Sequence, residues 1–202
     1  MHNKNNRPSV LIACEESGTV REAFASRGWY ALSCDLLPTS RPGNHYQGPV
    51  QNVLNQGHHW DLMIAHPPCT YLSVSGMHWT TRGLRDPKLT EEALDFVLLL
   101  MNAPVKHIAI ENPVSVISSR IRKPDQIIQP WMFGDDASKK TCLWLKDLPL
   151  LEPDLTKVVP PKGWSRVMSA ADMLECDCCG EPFCPECNAH YADCELWNSG
   201  NG

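Results

Sequence analysis

Three groups of residues in this chain are of types and spacings that could do chemistry. The first is Cys69, which follows the apolar run Leu62-Met-Ile-Ala65 and the stiff step His66-Pro67-Pro68. Two consecutive prolines fix φ twice and push each preceding residue out of the α region, so the backbone leaving a strand here holds Cys69 in a defined place. The second is Glu111, delivered with Asn112 and Pro113 at the end of the apolar run Lys106–Ile110. The third is a cluster near the C-terminus: six of the ten cysteines lie between Cys176 and Cys194.

A thiolate beside a carboxylic acid is a workable way to activate a pyrimidine ring. Addition of sulfur to C6 makes C5 nucleophilic, and the acid engages N3 and the exocyclic amine on the ring's opposite edge. An ordinary cysteine is only a few per cent thiolate at neutral pH, so the site must supply activation through strand-end dipoles or a nearby cation. The bland alternative for Cys69 is a buried thiol behind a rigid turn.

These groups need a scaffold, and the chain supplies one. Val10–Cys14 reads as a short buried strand, broken by Glu15-Glu-Ser-Gly18 before a helix with Val20, Ala23 and Phe24 on one face. Trp29–Leu36 is a second strand, ending in Asp35, where doubly wound folds place an acidic side chain against ribose hydroxyls. Val50–Leu54 forms a helical turn or strand, and Leu62–Ala65 is the central strand. A loop over Ser75–Gly83 follows, of a length to move and to carry contacts to a partner. Thr90 then reads as the N-cap of a helix whose core face is Leu94, Val97, Leu98 and Met101, ended by Pro104. Strands alternating with helices through Ile121 predict a parallel sheet flanked by helices, and ligands bind such sheets at the carboxyl ends of the strands. Glu15–Gly18, Asp35, His66–Cys69 and Glu111-Asn112 all fall at those ends.

Composition narrows the function classes. The chain has 202 residues, enough for one α/β domain and a small appendage. A net charge of −5 argues against a protein that coats nucleic acid through overall charge, while leaving local basic patches at Arg82/Arg85/Lys88, Arg120/Arg122/Lys123 and Lys139/Lys140. The polar start MHNKNNRPSV lacks a signal-peptide core, and the strongest apolar stretch, Phe96–Met101, is too short to span a bilayer. These features predict a cytoplasmic protein with no membrane partner.

In order and content, Ala65-His-Pro-Pro-Cys-Thr-Tyr-Leu-Ser73 resembles the Pro-Cys nucleophile segment of cytosine-5 DNA methyltransferases, and Ile110-Glu-Asn-Pro113 resembles that family's Glu-Asn-Val segment. The resemblance spans roughly residues 9–150, and the compact chain is most similar to methylase-like proteins of phages and prophages. It implies a Rossmann-like doubly wound α/β sheet of a class I S-adenosylmethionine-dependent methyltransferase, acting on cytosine in DNA. It further implies Cys69 as nucleophile and Glu111 as the group that engages the base. Cys14, Glu15, Glu16, Ser17 and Gly18 would form the turn at the amino-acid end of S-adenosylmethionine, with Asp35 near its ribose and Pro67 also against the cofactor. Pro68, Ser73 and Asn112 would meet the substrate. Gly48-Pro49-Val50 stands where the family often has an acidic residue for the adenine. Ala137-Ser-Lys-Lys-Thr141 stands in place of a Gln-x-Arg-x-Arg segment, leaving Lys139 as the cation in register, a further catalytic or phosphate-contacting residue.

Two alternatives stay open on the residues. One is a degenerate, non-catalytic nucleic-acid-binding relative; the other is a pyrimidine methyltransferase acting on RNA or a free nucleotide. An amino-methyltransferase, whose Asp/Asn-Pro-Pro-aromatic segment His66-Pro-Pro-Cys69 superficially resembles, would leave Glu111-Asn112 unexplained.

The domain division expected is 1–161 for the α/β domain and 162–202 for an extension carrying the cysteine module at about 176–194. The stretch LPLLEPDLTKVVPP reads as an extended strap. Cys176-x-x-Cys179 and Cys184-x-x-Cys187 are two knuckles that could place four thiolates on one zinc ion at about 2.3 Å. Cys178, His190 and Cys194 remain as substitute ligands or as part of a second site. The sequence leaves the oligomeric state open.

Overall fold

The computed structural model describes residues 7–137, 139–153 and 156. The chain divides into two units, Met1–Asp125 with Thr141–Leu150, and Gln126–Lys140 with Leu151–Gly202.

The first unit is built on a sheet in the order β3-β2-β1-β4-β5-β7. In chain order its elements are β1 (Ser9–Ala13), α1 (Thr19–Ala25), β2 (Tyr30–Asp35), β3 (His45–Gln47), α2 (Val50–Leu54), β4 (Leu62–Ala65), α3 (Val74–Thr81), α4 (Lys88–Met101), β5 (His107–Pro113) and α5 (Ile117–Arg120); β6 (Gln126–Ile128) belongs to the second unit, and β7 (Thr141–Lys146) returns to the first. β1 is buried along its whole length, which is why it reads as an unbroken apolar run rather than an alternation. It pairs in parallel with β2 on one side and β4 on the other. The chain thus reverses its winding direction at β1, and the crevice beyond the carboxyl ends of β1 and β4 is a topological switch point.

Alternation sends Val10, Ile12, Leu62 and Ala31 into one cluster, against which Val20 and Phe24 of α1 pack. α4 buries Leu94, Val97 and Leu100. β4 and β5 run parallel, with Ala65 beside Ile110, while β7 runs antiparallel to β5. That antiparallel strand was not anticipated: TCLWLK carries no local mark of its direction, which is set by the short return from the second unit.

Two sequence expectations are corrected here. The stretch after Ser73 is helix α3, started by the Ser73 hydroxyl accepting from the Gly76 amide at 3.2 Å. Only glycine fits at 76, since a Cβ there would lie 2.2 Å from the Thr70 carbonyl oxygen. Thr90, for its part, is inside α4: the helix begins at Lys88, whose amide is met by the Asp86 carboxylate at 2.9 Å, and the buried Thr90 hydroxyl donates to Tyr71 O at 3.2 Å. The helix's inner face accordingly runs through Leu100, with Leu98 at the surface.

In the second unit, β6 leads to a 3-10 turn, Pro130–Phe133, closed by Gly134 at φ 98°. The Gln126 side chain both donates to Leu151 O and accepts from the Leu151 amide, at 2.7 and 2.8 Å. Among the described residues no helix is long and apolar enough to cross a membrane.

Candidate active site

The nucleophile turn is pinned on both sides of Cys69. Upstream, the Pro67 carbonyl accepts from the Asn112 side-chain amide at 2.8 Å. Asn112 is 1% exposed, so this bond forms where water does not compete. Downstream, Arg85 donates to Thr70 O at 2.8 Å and lies over the Tyr71 ring at 4.9 Å. The Leu72 and Ser73 amides close the turn onto the Cys69 carbonyl at 3.0 and 2.9 Å. The result is an exposed thiol on a backbone whose neighbours are tied down.

Glu111 stands on the adjacent strand end. Because Ala65 and Ile110 are register partners, the next residues, His66 and Glu111, are neighbours too. His66 Nδ1 lies 3.2 Å from Glu111 Oε2, with the side chains 29% and 28% exposed. The chain therefore brings thiol-bearing turn and carboxylate together at the C-terminal edges of β4 and β5.

Next to the nucleophile turn, on the switch-point side, lies a cleft of about 570 Å³. Its walls include Cys14, Asp35, Leu36, Pro49, Tyr71 and Phe96, with Pro68 at the nucleophile end. A mainly apolar cavity of this size with a carboxylate at one side is of the kind that takes a nucleoside-sized ligand. Asp35 Oδ1 accepts from the Leu37 amide at 2.9 Å, and its backbone carbonyl accepts from Gly48, tying the floor of the cleft together.

Two thiols in this cleft stay protonated. Burial, with Asp35 and Cys34 adding charge repulsion, pushes Cys14 up to about 12; burial and Asp35 push Cys34 up to about 11. Cys14 also sits at φ 59°, an uncommon conformation for a side-chain-bearing residue, at the point where β1 ends. The unfolded thiols ionise near 9, so between about pH 9 and 12 the folded chain holds protons that the unfolded chain has lost. Stability is therefore expected to fall as pH rises through this window. Denaturant midpoints at about pH 8.5 and pH 10.5 will show the loss, reduced in Cys14→Ala. At about pH 8, iodoacetamide should label exposed Cys69 and spare Cys14 and Cys34 in the native protein.

The remaining predicted residues are distributed differently. Glu15, 4% exposed, turns its carboxylate back onto the start of α1, accepting from the Val20 and Arg21 amides at 2.6 and 3.2 Å and from the Ser17 hydroxyl at 3.3 Å. The helix amides available to an incoming carboxylate are thus already met from within. Glu16 bonds the Ser40 hydroxyl at the surface. Gly18, at φ 70°, backs onto the Arg21 guanidinium: a Cβ there would come within 2.5 Å of Nη2. Pro67 is buried and Ser73 is spent capping α3, while Pro68, assigned to the substrate by resemblance, lines the cleft. Lys139 lies in the second unit. Cys176, Cys179, Cys184 and Cys187, with Cys178, His190 and Cys194, lie outside the described residues, as does the proposed boundary at 161. Among the described residues there is no cluster of three or more potential metal ligands.

Sequence reasoning missed Tyr71, Phe96, Arg85 and the partnership of His66. Tyr71 and His66 lie inside the quoted nucleophile segment; Phe96 is four residues after Glu92 on the α4 face that meets the cleft, a helical spacing visible in advance.

No protein-family model matches the chain, and no curated protein matches it. Among solved structures, it is similar to a candidate DNA modification methyltransferase encoded within an E. coli prophage, at 11% identity and TM-score 0.45, over 68% of this chain and 46% of that one. It is also similar to WbdD, solved with the kinase inhibitor LY294002, at 13% identity and TM-score 0.38, over 73% of this chain and 38% of that one. The chain spans less than half the length of either protein.

Proposed function

We propose that the chain is an S-adenosylmethionine-dependent methyltransferase that acts on C5 of cytosine in DNA through a covalent adduct with Cys69. The observation that carries the reading is the convergence of an exposed cysteine on a pinned turn, a glutamate on the adjoining strand, and a nucleoside-sized cleft that the cysteine's turn helps to line through Pro68 and Tyr71.

The cleft's residues fit the nucleoside half of the cofactor. Asp35 would accept from the ribose hydroxyls, and Leu36, Val50 and Phe96 would enclose the base, with Pro49 offering apolar contact in place of a hydrogen bond. The start of α1 does not fit the amino-acid end, because Glu15 already occupies its amides. When bound, S-adenosylmethionine supplies an electrophilic methyl group.

The protein's own part follows from the geometry. Cys69 Sγ, as thiolate, adds to C6 of a cytosine taken out of the stack; the C5=C6 electrons shift to make C4=C5, and the C4=N3 electrons move to N3, which takes up a proton. Glu111 is placed to give that proton and to accept from the exocyclic amine. The Asn112 and Arg85 bonds keep the turn from yielding as sulfur moves toward carbon. After C5 is methylated, C4=N3 is restored, loss of the C5 proton with departure of Sγ as thiolate re-forms C5=C6, and N3 returns its proton to Glu111.

The deciding experiment is nucleoside mass spectrometry of DNA and RNA from cells expressing the wild type and Cys69→Ala. 5-Methylcytosine in DNA only with the wild type supports the proposal. The same base in RNA moves the substrate to RNA. No new methylated base, together with no calorimetric heat on adding S-adenosylmethionine, identifies a non-catalytic relative.

By the spacing of its cysteines, we propose in addition that 176–194 binds zinc through Cys176, Cys179, Cys184 and Cys187. Purified protein is expected to release one zinc ion per chain on thiolate oxidation, measured with a chromogenic chelator; Cys179→Ser should lower the yield by half or more, to about the level of an incomplete site.

A further inference from the structure

We propose that His66 is a positioning residue for Glu111, deciding which carboxyl oxygen carries the proton that goes to the substrate ring; this rests on the reading of Glu111 as the group that engages cytosine.

The two residues follow directly on paired positions of neighbouring parallel strands, so their side chains emerge side by side from a rigid sheet edge rather than from loops. Among the described residues the imidazole's polar contact is Nδ1 to Glu111 Oε2 at 3.2 Å. Its other nitrogen, Nε2, is buried and has no hydrogen-bond partner among the described residues. A proton on Nε2 would be stranded without an acceptor, whereas a proton on Nδ1 meets a carboxylate. The ring's proton therefore belongs on Nδ1, and His66 donates to Oε2.

That donation has a consequence for the acid form. An oxygen already accepting from Nδ1–H is the poorer place for the acid's own proton, so a protonated Glu111 carries it on Oε1. Oε1 is then the oxygen that addresses the base. As Sγ bonds to C6 and the ring electrons move toward N3, the proton leaves Oε1 for N3, and the charge that remains on the carboxylate is met by the Nδ1–H bond already in place. No reorientation is needed between the two states, which is the condition under which a preformed hydrogen bond lowers a barrier. Glu111 by itself at a strand end would be free to rotate and present either oxygen.

The test has two arms. In the wild type, 15N NMR of the imidazole should show a ring protonated on Nδ1, and Glu111→Ala should shift the Nδ1 signal. In single-turnover methyl transfer, His66→Phe should lower the rate by about 10-fold to 100-fold, the worth of one charge-assisted hydrogen bond, with S-adenosylmethionine affinity unchanged. His66→Gln, whose amide can donate from a similar place, should recover to within a small factor of the wild type. A ring protonated on Nε2, a Nδ1 signal indifferent to Glu111→Ala, or a His66→Phe rate equal to that of the wild type overturns the proposal. Because the tautomer is read in the wild-type chain, a variant that fails to fold leaves that measurement decisive. A Nδ1-protonated pair in a protein that transfers no methyl group overturns the functional reading alone.

Discussion

Replacing Cys69 by alanine is expected to reduce methyl transfer to cytosine by more than about 10³-fold while leaving the protein folded and able to bind its cofactor. The expectation combines two features that usually conflict. The thiol is exposed, so its loss removes no packing, yet the turn around it is held from both sides, by Asn112 on Pro67 and by Arg85 on Thr70. The measurement is single-turnover transfer of a labelled methyl group, run beside calorimetry for cofactor binding and a thermal melt. DNA containing 5-fluorocytosine sharpens it: fluorine at C5 cannot leave as a cation, so the adduct cannot resolve and protein should remain covalently attached to DNA. Cys69→Ala should form no such adduct. Full transfer by the alanine variant would exclude the covalent route.

How much of this was legible in the sequence depends on whether the signal was local. β4 at Leu62–Ala65 and the placement of Asp35, Cys69 and Glu111 at strand ends follow from apolar runs bounded by proline and acidic residues, because buried parallel strands leave that mark. The neighbourhood of β4 and β5 could be proposed from the two motifs, and the register Ala65 to Ile110 gives it a definite form. What was not legible depends on distant partners. Helix α3 looks like a loop because it is short and not amphipathic, and its start depends on Gly76 clearing the Thr70 carbonyl. Thr90 resembles a cap, but its hydroxyl is taken by Tyr71, nineteen residues earlier in the chain. Glu15 and Gly18 have the residue types of a ligand-binding turn, and their side of the turn is instead filled by the protein itself. Nothing in Cys14-Glu-Glu-Ser-Gly18 says that a carboxylate two residues before Ser17 will fold back onto α1, or that the glycine will face an arginine.

That arginine carries the second large effect. Arg21→Met is expected to destabilise the first unit by about 2–3 kcal/mol, lowering the denaturant midpoint without changing the cleft's lining residues. Arg21 is 1% exposed, yet the partners the structure gives its guanidinium are neutral. Nη1 donates to the Ser33 hydroxyl at 2.8 Å and to Thr39 at 3.2 Å, and Nη2 donates to the carbonyls of Arg41 and Pro42, each at 2.9 Å. Two glycines make room for it, since a Cβ at Gly18 or Gly43 would fall within 2.5 or 2.8 Å of the guanidinium. The arginine thus fastens α1 to the connection between β2 and β3, the same connection that leaves Asp35. Methionine would match much of the side chain's length but would remove the donors that Ser33, Thr39, Arg41 O and Pro42 O now share; Ser33 keeps His45 and Arg41 O keeps the Thr39 hydroxyl, so the largest loss is the buried bond to Ser33 and the fastening of the connection. Lysine offers three donors from a single point and cannot reach four acceptors spread around a planar fork, so Arg21→Lys should recover only part of the loss. Because the connection it holds begins at Asp35, the same variants should also weaken S-adenosylmethionine binding, measured by calorimetry well below the unfolding transition. Unchanged stability in Arg21→Met would mean that the connection is held by something other than this guanidinium, and unchanged cofactor affinity in a destabilised variant would separate the fastening of the loop from the placement of Asp35.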